Sequence, residues 1–332
     1  MRKICIIKLG AAGDVLRTMP IARALKEKDP DSEITWITKG DIVELMEGNP
    51  FIDKILVLPA IPQEKFSLLY NFDLENDACE LAAQIEAEQK FGFCMKEGYP
   101  APFNVGAEYY LNTYFDDGIK KNNKKTYQEM MFMAADLRYH REYCPIYLTD
   151  SDLNYAKEFE NMNYLHSERL IGIHMGASSR WPSKVWSEQR LKEFIIKAKD
   201  KGYEILIFGG PNEVGKIEAF TQQLEKKLIR VYRNDPYNTK REFASLISLC
   251  KVVVCSDSFA LHVALALEKK TVALFFVTSP DEVEGYGFLT KLISPKLYDF
   301  FPEKSDQFND DLVNSISADE VLSAVDKAVK FH

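Results

Sequence analysis

The sequence has no C-x-x-C pair, no G-x-G-x-x-G stretch, no apolar run long enough to cross a bilayer and no surplus of basic residues. Each absence removes a class of protein. Cys5, Cys79, Cys94, Cys144, Cys250 and Cys255 are scattered, several of them in apolar runs, so they read as reduced core thiols and not as disulfides or metal ligands. Without the dinucleotide fingerprint, a nicotinamide site has no support. The apolar opening at residues 4–7 stops at Lys8, far short of a secretory core or a membrane span. Lys and Arg number 42 against 50 Asp and Glu, and the resulting formal charge of −8 repels a nucleic acid. The expectation is a cytoplasmic protein that binds no nucleic acid and has at most peripheral contact with the inner face of a membrane.

What is present points to two domains. The chain has 332 residues, against roughly 150 per domain, and its 46% hydrophobic and 28% charged residues suit packed cores. Residues 3–8 form a short apolar strand ending in the turn Leu9-Gly10-Ala11-Ala12-Gly13-Asp14. A helical pattern over residues 15–28 follows, with Leu16, Met19, Ala22 and Leu25 on one face. Strands at 34–38 and 55–58 flank a short helix at 42–47, and strands at 66–72 and 90–93 flank a helix at 78–88, the alternation of βαβ units. Residues 99–125 carry Tyr109, Tyr110, Tyr114 and Phe115 and then Lys120, Lys121, Lys124 and Lys125; they read as a solvated loop, or as a flap facing an acceptor. The segment Thr149-Asp150-Ser151-Asp152 has the character of a helix cap near the domain boundary. The strand–turn–helix pattern then restarts at residues 169–175 and alternates to a last helix at 318–330. The expected fold is α/β, with two Rossmann-like domains, residues 1–155 and 156–332, whose parallel sheets face each other across a cleft.

In open parallel sheets, ligands bind beyond the carboxyl ends of the strands. Gly10, Gly13 and Asp14 fall at such an end in the first domain, and Ser178, Ser179, Arg180, Glu213, Asp257, Ser258 and His262 do so in the second. Asp29-Pro30-Asp31 lies on the opposite rim and reads as a turn, not as a metal site. Helix starts after Met175 and at residues 258–262 offer backbone N–H groups and partial positive charge to a pyrophosphate. Arg180 adds a fixed cation, and Glu213, after a Gly-Gly turn, can accept from ribose hydroxyls. Asp257 and Ser258 also suit plain helix caps, and Asp14 suits the dipole of its own helix; each alternative stands beside the catalytic one. As a base, the Asp14 carboxylate removes the proton of an incoming hydroxyl.

Three separated segments resemble the family 9 glycosyltransferases, which include the ADP-heptose:lipopolysaccharide heptosyltransferases. They are Ile6-Ile7-Lys8-Leu9-Gly10-Ala11-Ala12-Gly13-Asp14-Val15-Leu16-Arg17-Thr18-Met19-Pro20; Ile173-His174-Met175-Gly176-Ala177-Ser178-Ser179-Arg180-Trp181-Pro182 with Trp186; and Ser256-Asp257-Ser258-Phe259-Ala260-Leu261-His262 with Thr278, Tyr286 and Gly287. The resemblance implies a GT-B fold and inverting transfer without metal or other cofactor. The donor would be a nucleotide-diphosphate sugar resembling ADP-heptose, and the acceptor a glycan or glycolipid hydroxyl in cell-surface polysaccharide synthesis. It implies Asp14 as general base, Arg180 as stabiliser of the leaving diphosphate and Glu213 as ribose contact. Asp257 and the backbone of Ser258, Phe259, Ala260 and Leu261 would hold the donor sugar and phosphates, with Gly10, Gly13, Ser178, Ser179 and His262 in the remaining binding set. Phe259 stands where the family commonly has Gly, and Phe276-Val277-Thr278-Ser279-Pro280 where a Phe-Gly-Pro-Thr-Asp-Pro-like turn is typical. Two other readings fit the same residues: a nucleotide-sugar epimerase of the same shape, and a non-catalytic nucleotide-sugar or glycan-binding protein.

Overall fold

The structure is a computed structural model, and it describes residues 1–176 and 180–330. The chain divides into two units: unit 1 comprises Met1–Tyr147 with Asp281–Glu284, and unit 2 comprises Leu148–Pro280 with Gly285–His332. Residues 281–284 are tied into unit 1 by the pairs Lys124–Asp281 and Arg141–Glu284, each at 2.8 Å.

Unit 1 is built on β1 (Lys3–Ile7), β2 (Glu33–Thr38), β3 (Lys54–Val57), β4 (Phe66–Asn71), β5 (Ala87–Lys96) and β6 (Tyr99–Pro102), in the order β3-β2-β1-β4-β5-β6. The first five strands are parallel, and β6 is an antiparallel edge. Covered on both faces, β1 is apolar after Lys3, with Ile4, Cys5, Ile6 and Ile7 at most 1% exposed, and β2 buries Thr35 and Thr38 beside Ile34, Trp36 and Ile37. Unit 2 repeats the winding with β7 (Leu170–His174), β8 (Glu204–Phe208), β9 (Tyr232–Arg233), β10 (Val252–Ser256), β11 (Lys270–Phe275) and β12 (Leu289–Ile293), all parallel, in the order β12-β11-β10-β7-β8-β9. Counted from its own first strand, each sheet has the Rossmann order. The expected α/β class with two Rossmann-like domains is therefore present.

Several local expectations are corrected. The helix expected over residues 15–28 is two, Ala12–Thr18 and Pro20–Lys28, because Pro20 lacks the N–H that a continuous helix requires. The helix expected at 78–88 is Asn76–Gln84, and the strand after it starts at Ala87, earlier and longer than the expected 90–93. Residues 99–125 are not a loop: they form β6 and the helices Val105–Phe115 and Asp117–Asn122. Ala107, Leu111 and Thr113 are buried, and Tyr110 packs on Phe93 and Tyr127 with ring centres 5.4 and 5.9 Å away. Residues 29–31 form the expected turn into β2.

Candidate functional site

Each sheet has one place where the winding reverses, between β1 and β4 in unit 1 and between β7 and β10 in unit 2. The following loops part there and open a crevice. The chemistry-bearing side chains gather at these two places.

In unit 1, Lys8, Leu9 and Gly10 leave β1, and Asp73 leaves β4 beside them. The Asp73 carboxylate accepts from the backbone N–H of Leu9 and of Gly10, both at 2.6 Å, and pairs with Lys8 Nζ at 3.2 Å. Lys8 Nζ also donates to the Phe72 carbonyl at 3.1 Å. Burial opposes the charge on Lys8, yet Tyr127, Asp73 and Asp14 hold its ammonium above the ordinary lysine range. Gly10 eases this close approach: a Cβ there lies 3.0 Å from both Asp73 Oδ1 and Lys8 Nζ, so the pair would have to give way to a larger residue. Asp73 was missed in the sequence, although the carboxyl-end rule covers it.

The anchored loop leads into the helix Ala12–Thr18, in which Gly13 is buried and Asp14 stands in the first turn with its side chain 36% exposed. Arg17 donates to Asp14 Oδ1 at 2.5 Å, and its guanidinium lies 4.0 Å over the Tyr127 ring. Burial raises the Tyr127 hydroxyl above its usual range, with Lys8 pulling the other way, so it stays a neutral donor, 3.3 Å from Thr18 Oγ1. Asp14 thus sits on a rigid support within a field that includes Lys8 and Arg17.

In unit 2, β7 ends at His174 and β10 at Ser256. Ser258 precedes the helix Phe259–Ala266 but does not cap it; its hydroxyl faces His174 Nδ1 at 3.3 Å. The first turn of that helix is therefore not closed by its own N-cap side chain. Burial pushes His174 down to about 4, so the imidazole is neutral at physiological pH. Asp257, 18% exposed, lies between two cationic candidates: Lys184 Nζ at 3.4 Å from Oδ2 and His262 Nε2 at 3.6 Å from Oδ1. Ala260 and Leu261 are fully buried, and the Leu261 N–H already donates to the Ser258 carbonyl at 3.0 Å.

Glu213 follows β8 and lies against the loop after β7: a Cβ on Gly176 falls 3.1 Å from its Cδ. Its carboxylate accepts from the Gly210 N–H at 2.9 Å. Beside it, Gly209, Val214, Ile217, Glu218, Arg233 and Asn234 line a hollow of about 350 Å³. Asn234 sets the hollow's shape by donating to the Gly209 carbonyl at 3.1 Å and accepting its N–H at 3.0 Å.

Arg180 is exposed, its guanidinium 4.9 Å over the Trp181 ring. Ser178 and Ser179 lie outside the described residues. The two bulky departures are both packed against other apolar groups of unit 2. Phe259 joins an aromatic row with Phe243, ring centres 5.6 Å apart, and Phe276 and Val277 are each 1% exposed in the unit 2 core. Among the predicted residues, the structure gathers Asp257, Ser258 and His262 at one helix start, sets Glu213 against the neighbouring loop and leaves Arg180 at the surface. Lys184 and His174 complete the group, and sequence reading had not selected them as site residues.

Two units with the Rossmann order, each with its polar groups at the carboxyl ends of its strands, define the GT-B class of fold. The sequence profile of glycosyltransferase family 9 (heptosyltransferase) matches residues 117–304, and the chain belongs to that family. Lipooligosaccharide heptosyltransferase 2 of Haemophilus influenzae is 30% identical over 176 residues, 48% of this chain and 49% of that protein. The chain thus spans about half the length of the curated relatives it matches at this level. The structure of a family 9 glycosyl transferase from Veillonella parvula superposes with a TM-score of 0.79 at 19% identity, covering 99% of this chain and 97% of that one. The structure of E. coli ADP-heptose lps heptosyltransferase II gives 0.73 at 18% identity, covering 98% of each chain. Both likenesses bear on the fold.

Proposed function

We propose that the chain is an inverting, metal-independent glycosyltransferase that moves a heptose-like sugar from a nucleoside-diphosphate donor to a hydroxyl of a glycan or glycolipid. The observation that carries this reading is the helix start at Phe259: its N-cap hydroxyl is turned to His174, and Asp257, His262 and Lys184 stand beside it. Such a helix start suits a diphosphate. Membership of family 9 and the names of its relatives, which include an ADP-heptose lipopolysaccharide heptosyltransferase, support ADP-heptose as the donor type and a lipopolysaccharide core as the acceptor type.

In this mechanism the Asp14 carboxylate takes the proton of the acceptor hydroxyl. The acceptor oxygen then bonds to the anomeric carbon from the face opposite the leaving group, with inversion. The bond from that carbon to the phosphate oxygen breaks, and its electron pair leaves with the nucleoside diphosphate, whose charge Arg180 and the helix start at Phe259 offset. Glu213 holds the ribose hydroxyls, next to a hollow large enough for part of a nucleoside. Gly10 and Gly13 let the Asp14 loop approach the acceptor closely; Ser178 and Ser179, expected in the binding set, lie outside the described residues. Unit 1 takes the acceptor: Val105, Tyr114, Phe115 and Ile119 are exposed in the same stretch of chain as Lys120 and Lys121, which suits a glycolipid and peripheral contact with the inner face of a membrane. Among the described residues no helix is long and apolar enough to cross a membrane.

Asp14→Asn tests the reading. A part-exposed i,i+3 pair such as Asp14–Arg17 contributes about 0.2–0.5 kcal/mol, so the variant folds normally. Loss of a positioned base lowers turnover by roughly 10² to 10⁴ while nucleotide binding persists. A D14N enzyme with wild-type turnover refutes the assignment.

A further inference from the structure

We infer that Lys184 is a diphosphate-binding cation of the donor site, a contact beyond the one proposed for Arg180; this rests on the glycosyltransferase reading above. The starting point is an electrostatic conflict. Asp257 is adjacent to the N-cap of the helix Phe259–Ala266, where the donor diphosphate is proposed to bind, and its negative charge opposes an anion there. Lys184 Nζ, 3.4 Å from Asp257 Oδ2, removes that opposition. With three N–H donors on one ammonium, it can hold Asp257 and a phosphate oxygen at once.

The position of Lys184 is built, not incidental. It ends the 3₁₀ turn Pro182–Lys184, which is fastened on both sides. Ser183 is fully buried, donates to the Gln307 carbonyl at 2.8 Å and accepts from the Asn309 N–H at 2.8 Å. Trp186 Nε1 donates to the Ile316 carbonyl at 3.0 Å. A lysine held between two such anchors, with its side chain 15% exposed, has given up much of its rotamer freedom before any ligand arrives. Arg180 differs, lying at the surface over Trp181.

Isothermal titration of the full chain with ADP and with AMP, for wild type, Lys184→Met and Lys184→Arg, tests the assignment. A charge-assisted hydrogen bond to the outer phosphate corresponds to roughly 10- to 100-fold in affinity. The expected result is that K184M loses that factor for ADP while AMP binding changes little, so the ratio of the two constants collapses, and K184R restores most of it. Should K184M unfold, Lys184→Gln keeps a polar stem of similar length without the charge, and the same collapse is expected. An unchanged ADP to AMP ratio overturns the assignment, as does an equal loss for both ligands, which marks Lys184 as structural. If wild type binds none of ADP, UDP, GDP and CDP, the function reading itself falls and takes this inference with it.

Discussion

The loop that presents Asp14 is held by one carboxylate, and replacing it gives a quantitative test of how unit 1 is built. In Asp73→Ala, Lys8 loses the partner of a pair whose side chains are 7% and 5% exposed. Breaking a buried pair from one side costs about 3–5 kcal/mol, because the remaining charge stays buried. The N–H groups of Leu9 and Gly10 lose their acceptor as well, at about 1–3 kcal/mol each where water cannot replace it. These contributions overlap, since one side chain supplies all three contacts, and we expect a total of about 4–5 kcal/mol. Against a typical domain stability of about 5–15 kcal/mol, this leaves unit 1 marginal.

The two parts separate in a cycle with Lys8→Met. If the ion pair dominated, removing both charges would restore stability, as replacing whole buried pairs often does. The double variant still leaves the Leu9 and Gly10 N–H groups without the carboxylate, so it should remain about 2–3 kcal/mol below wild type. Unit 1 holds a single tryptophan, Trp36, which is fully buried; Trp181 and Trp186 belong to unit 2. In a Trp181→Phe, Trp186→Phe background, fluorescence during urea unfolding therefore reports unit 1 alone. With a slope of about 2 kcal/mol per molar urea, D73A lowers the midpoint by about 2 M. A shift below about 0.5 M, or a double variant with the wild-type midpoint, refutes the reasoning.

The other expectations concern unit 2. The unfolded chain protonates His174 near its usual 6.5, whereas the folded protein holds it neutral to about 4, so this contribution is complete above pH 6.5, falls by about 3 kcal/mol between pH 6.5 and 4, and levels off below that. His174→Gln should flatten that slope in urea midpoints measured from pH 7 to pH 4; an equally steep slope in the variant contradicts it. Gly172→Ala places a Cβ 2.7 Å from Cys250 Sγ and 2.9 Å from Phe208 Cε2, an overpacking of about 1–3 kcal/mol. Adding Cys250→Ala should return part of it by calorimetry, and no recovery would place the strain elsewhere.

What could be read from the sequence follows from how local each signal is. The turn at Gly10 to Asp14 and the pair Asp257-Ser258 were legible because strand, turn and helix lie within a few residues, and the carboxyl-end rule then marks them. Asp73 acts on Leu9 and Gly10 from 64 and 63 residues away, and only the pairing of β1 with β4 brings them together. Lys184 and Asp257 meet for the same kind of reason, across the crevice between β7 and β10. The helix Val105–Phe115 escaped notice because its apolar residues do not mark one face: Ala107 and Leu111 are buried, while Val105, Tyr114 and Phe115 are exposed. At Pro20 the periodicity continues although the backbone bonding does not, so the pattern overstated one helix.

The two units pose the same topological problem and solve it with opposite chemistry. At each switch point, neighbouring parallel strands send their chains in different directions, and a side chain must stitch the parting loops. In unit 1 the stitch is charged: Asp73 after β4 holds two N–H groups after β1, with Lys8 as its buried counter-ion. In unit 2 it is neutral, a Ser258 hydroxyl after β10 on an uncharged His174 at the end of β7. A buried carboxylate stitch at the unit 2 position would repel a diphosphate at the helix start, while a hydroxyl and a neutral imidazole do not. The carboxylate that does stand there, Asp257, is met by Lys184. Unit 1 is proposed to receive a neutral hydroxyl, so a compensated ion pair beneath its loop opposes nothing and fixes the support of Asp14 more firmly than a neutral bond.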